Sequence, residues 1–82
     1  MSDLDVQTAA AYVLGHVEPH AHHIQPGSFY DALLGALFKA DQHNRALLGL
    51  GFPMLADMVG AYKNDTDGVD RLRAAETTGE WT

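Results

Sequence analysis

Apolar side chains recur along this chain at spacings of three and four, and no stretch alternates as a half-buried strand would. The sequence therefore predicts an all-α fold, a small bundle of four to five short helices. Val6, Ala10, Val13, Leu14 and Val17 share one helical face and predict a first helix over about Asp3 to His16. Ser2 or Asp3 is its expected N-cap, and Pro19 stops it. A second helix is expected from Phe29 to Lys39 or Ala40, opened by Ser28 and Asp31 as an approximate capping box. A third, over Gln42 to Leu50, takes Asp41 as its N-cap and Ala46, Leu47 and Leu50 as its buried stripe. Pro53 stands at the first position of a fourth, which runs to about Lys63 with Met54, Met58 and Tyr62 four apart. The turn-forming run Asn64 to Gly68 precedes a short last helix, Val69 to about Ala75, that packs Val69 and Leu72. Residues 1–76 are read as one domain, and 77–82 as a flexible tail that only Trp81 is equipped to dock.

The second helix stands out. Phe29, Leu33 and Leu37 line one face, and Tyr30, Leu34 and Phe38 line the adjacent one. A helix apolar around so much of its circumference needs cover on more than one side, which marks it as the central helix. If the third and fourth helices leave one face bare, an isologous homodimer is the expected remedy. Gly35 and Ala36 would allow two such helices to cross closely. Phe29, Leu33, Leu37, Phe52, Leu55 and Val59 are the expected core.

Composition narrows the function. Eighty-two residues suit one small domain, and 46% apolar with 20% charged residues is ordinary globular usage. Without cysteine there are no disulfides, thiolate metal sites or thiol nucleophiles. Five Lys and Arg against eleven Asp and Glu leave a net charge of −6, which opposes binding to nucleic acid or anionic membranes. The would-be recognition helix of a helix-turn-helix, Pro53 to Lys63, carries Asp57 and a single cation, Lys63. The N-terminus lacks the basic and apolar regions of a secretion signal, so the expected location is cytoplasmic.

Candidate chemistry is sparse. His16, His20, His22 and His23 fall within eight positions, and imidazole is a common transition-metal ligand. Pro19 interrupts the helical register between His16 and His20, and the spacing matches no metal motif, so a polar surface connection is the favoured reading. Ser28 lacks a nucleophile motif and is explained as a cap. Asp41 and His43 belong at a helix N-terminus for capping and dipole reasons. No paired carboxylates, phosphate loop or dinucleotide fingerprint is present. The chain is expected not to be an enzyme, and to need no cofactor.

One pattern is family-like. The run from Ala40 to Pro53, with Asp41, Asn44-Arg45 and Gly51-Phe52-Pro53, precedes Asp67-Gly68 and Leu72-Arg73. Over about Gly27 to Arg73 it resembles small uncharacterised helical proteins of actinobacteria and their phages, outside which the histidine-rich connection falls. The resemblance implies a compact scaffold and carries no activity with it. Within it, Arg45 is expected to pair with Asp41 four residues earlier.

What remains is protein recognition. The expected function is a small non-enzymatic interaction module, such as a phage accessory protein acting on a host or viral protein. Its expected surface is Tyr30, Leu34, Phe38, Met54 and Met58, the methionines because their side chains adapt to irregular partners. The alternative is a transition-metal-binding protein using His16, His20, His22 and His23.

Overall fold

In the computed structural model, which describes residues 4–18 and 27–81, the periodicities resolve into five helices and no strand among those residues. They are α1 (Val6–Val17), α2 (Ser28–Lys39), α3 (Gln42–Gly49), α4 (Pro53–Asn64) and α5 (Gly68–Thr78). The chain is a small all-α bundle. No helix among the described residues is long and apolar enough to cross a membrane.

The helix ends follow local chemistry, with two corrections. The carboxylate of Asp5, rather than that of Asp3 or the hydroxyl of Ser2, accepts the Thr8 amide at 2.7 Å, so α1 starts at Val6. Ser28 is the first residue of α2 and makes no capping bond, because Gly27 occupies the N-cap position. The predicted capping box does not form. Asp41 caps α3 as expected, accepting the Asn44 amide at 2.8 Å, and Pro53 opens α4 where its missing N–H costs nothing.

The last helix is longer than the expected Val69 to about Ala75. α5 continues to Thr78, and Gly79 ends it with a left-handed φ of 79°, its amide bonded to the Ala75 carbonyl. Gln7 donates to the Thr77 carbonyl at 3.1 Å, and Arg73 meets Glu18 at 3.0 Å, so both ends of α1 are tied to α5. Trp81 is half-buried against the core.

α4, rather than α2, is the hub. It packs against α1, α2, α3 and α5, and the most extensive contact of the fold joins α1 to α5. α1 accordingly buries Ala9, Ala10 and Ala11 together with Val13 and Leu14. Leu14, Leu34, Leu37, Met58 and Leu72 are the largest fully buried side chains. Gly68 lets α5 start hard against α4. A Cβ there would collide with the Ala61 carbonyl oxygen and lie 2.6 Å from its carbon.

α1 and α4 bury Leu33, Leu34 and Leu37 of α2 and half-bury Tyr30 and Phe38, leaving Phe29 exposed. Tyr30 lies 5.3 Å from Tyr12 between ring centroids, and Phe38 meets the edge of Tyr62 at 5.6 Å. Lys63 of α4 donates to the Phe38 carbonyl at 2.8 Å, capping the end of α2. Of the expected core, Leu33, Leu37, Leu55 and Val59 are buried. Phe52 is only half-buried and Phe29 is 60% exposed, because Phe29 sits in the first turn of α2, at the rim of the bundle beside Phe52.

Candidate functional site

α3 is turned opposite to its predicted sense. Arg45, Leu48, Gly49 and Phe52, spaced three, one and three apart, meet α4 or the core behind it. Gly49 lets the two helices approach closely: a Cβ on it would stand 3.3 Å from the Ala56 methyl carbon. Arg45 lies along the second such contact, its Nε 3.6 Å from where a Cβ of Gly60 would be. Ala46, Leu47 and Leu50, the predicted buried stripe, consequently face outward, with Leu47 53% and Leu50 84% exposed.

This outward side of the α3–α4 corner forms an open groove of about 350 Å³. Ala46, Leu50, Pro53 and Ala56 supply its apolar lining, with Arg45 and Asp57 at its polar border. Two carboxylates near it are already engaged. Asp41 holds the Asn44 amide, and Asp57 Oδ2 accepts the Trp81 indole N–H at 2.7 Å. The predicted Arg45–Asp41 pair does not form. Arg45 is half-buried, and its guanidinium has no hydrogen bond or ion pair among the described residues.

The surface expected from sequence is dispersed. Leu34 and Met58 are fully buried, so they belong to the core and present nothing to a partner. Tyr30, Phe38 and Met54 are half-buried and packed against that core. A helix with apolar residues all round gives no sequence signal for which side meets water, whereas the outward α3 stripe was read as core for its hydrophobicity alone.

Of the candidate metal ligands, His16 is committed elsewhere. Its Nδ1 lies 2.9 Å from Asp31 Oδ1, and its ring stacks on Phe38 at 5.5 Å with planes 9° apart. It thereby joins α1 to α2. His20, His22 and His23 lie outside the described residues, among which no group of three or more His, Asp or Glu side chains is placed to hold a metal.

A second hollow of about 250 Å³ lies beside Trp81, between Arg71, Ala74, Thr78 and Glu80. The Arg71 guanidinium stacks 4.4 Å from the indole centroid and reaches Asp65 at 2.8 Å. Arg71 is thereby engaged in holding the tail. No family model, curated protein or solved structure matches this chain.

Proposed function

We propose that the chain is a small non-enzymatic protein-interaction module that docks its partner on the outward side of the α3–α4 corner. The observation that carries this reading is the rotation of α3. Leu47 and Leu50 stand in solvent on the same side of α3 as Ala46, and Ala46 and Leu50 line a groove, while the same helix uses Leu48 and Gly49 to hold the fold. Desolvating such a pair on a partner is favourable at about 25 cal/mol per Å² of apolar surface removed from water. The resemblance to small proteins of actinobacteria and their phages supports a bacterial host or viral protein as the partner.

The test is affinity capture with the immobilised chain, from lysate of cells that encode it, beside a Leu47→Glu/Leu50→Glu variant. Both residues are exposed, so the variant should keep its far-ultraviolet circular dichroism and its Trp81 emission. A protein retained by the native chain and lost with the variant supports the reading. Equal retention by both, or none by either, overturns it.

A further inference from the structure

We draw no further inference here: the strongest candidate, the open groove at the α3–α4 corner with Ala46 and Leu50 on its apolar lining, borders one cation, Arg45, and one anion, Asp57, and nothing in the structure shows what covers it.

Discussion

The Trp81 indole N–H donates to Asp57 Oδ2 at 2.7 Å, joining the third residue past α5 to α4. Arg71 closes the arrangement from the other side, 4.4 Å from the ring centroid and paired with Asp65. A tail of small and polar residues is thus held by one aromatic side chain with two partners, Asp57 and Arg71.

Asp57→Ala should release that side chain. The lost bond is worth about 0.5–1.5 kcal/mol, and Trp81, the single tryptophan, should shift its emission to longer wavelength as water reaches it. An unchanged emission maximum would show that the indole is held without Asp57.

Core truncations should separate sharply from rim ones. Leu34→Ala, Leu37→Ala and Met58→Ala each empty a fully buried site and should cost about 2–5 kcal/mol in urea unfolding. Phe29→Ala removes a side chain that is 60% exposed and should cost less than about 1 kcal/mol. A large loss at Phe29 would mean that the rim is buried in solution.

Two glycines should respond in opposite directions. Gly68→Ala drives a methyl into the Ala61 carbonyl, which cannot yield without moving α4 or α5, and should destabilise by about 1–3 kcal/mol or more. Gly35→Ala meets nothing nearer than His16 Cε1 at 4.0 Å, so the gain in helix propensity should stabilise α2 by about 0.5–1 kcal/mol. Melting temperatures of the two variants check this pair.

Acid should loosen the start of α1. The backbone and side-chain hydrogen bonds at Thr8 hold the Asp5 carboxyl below the usual aspartate value. A carboxyl lowered in the folded state adds stability above its unfolded pKa, and the contribution is lost as pH falls through the folded one. The protection of the Thr8 amide, its exchange rate measured against the intrinsic rate at the same pH, should therefore fall at low pH in the native chain, and be low at every pH in Asp5→Ala. A Thr8 amide equally protected in both would remove Asp5 as the cap.

Helix number, the Asp41 cap, the Pro53 start and the burial of Leu33, Leu37, Leu55 and Val59 were legible from spacing and capping chemistry. The rotation of α3 was not. Its inward positions hold Arg45, Leu48 and Gly49, and its outward ones Ala46, Leu47 and Leu50, so apolar count points away from the core. Glycine carries the contact through absence of bulk, a signal that hydrophobicity does not register. Trp81 escaped for a different reason: its partners Asp57 and Arg71 are remote in sequence and polar, and periodicity is blind to both.

The outward residues of α3 and the ones that seat it on α4 are different residues. Substitutions at Ala46, Leu47 and Leu50 can therefore accumulate without loosening the hairpin, whereas the reverse does not hold for Leu48 or Gly49. That separation makes the corner evolvable. A lineage can retune what it recognises here, residue by residue, with the scaffold held constant, and a laboratory library randomised at those three positions should inherit the same freedom.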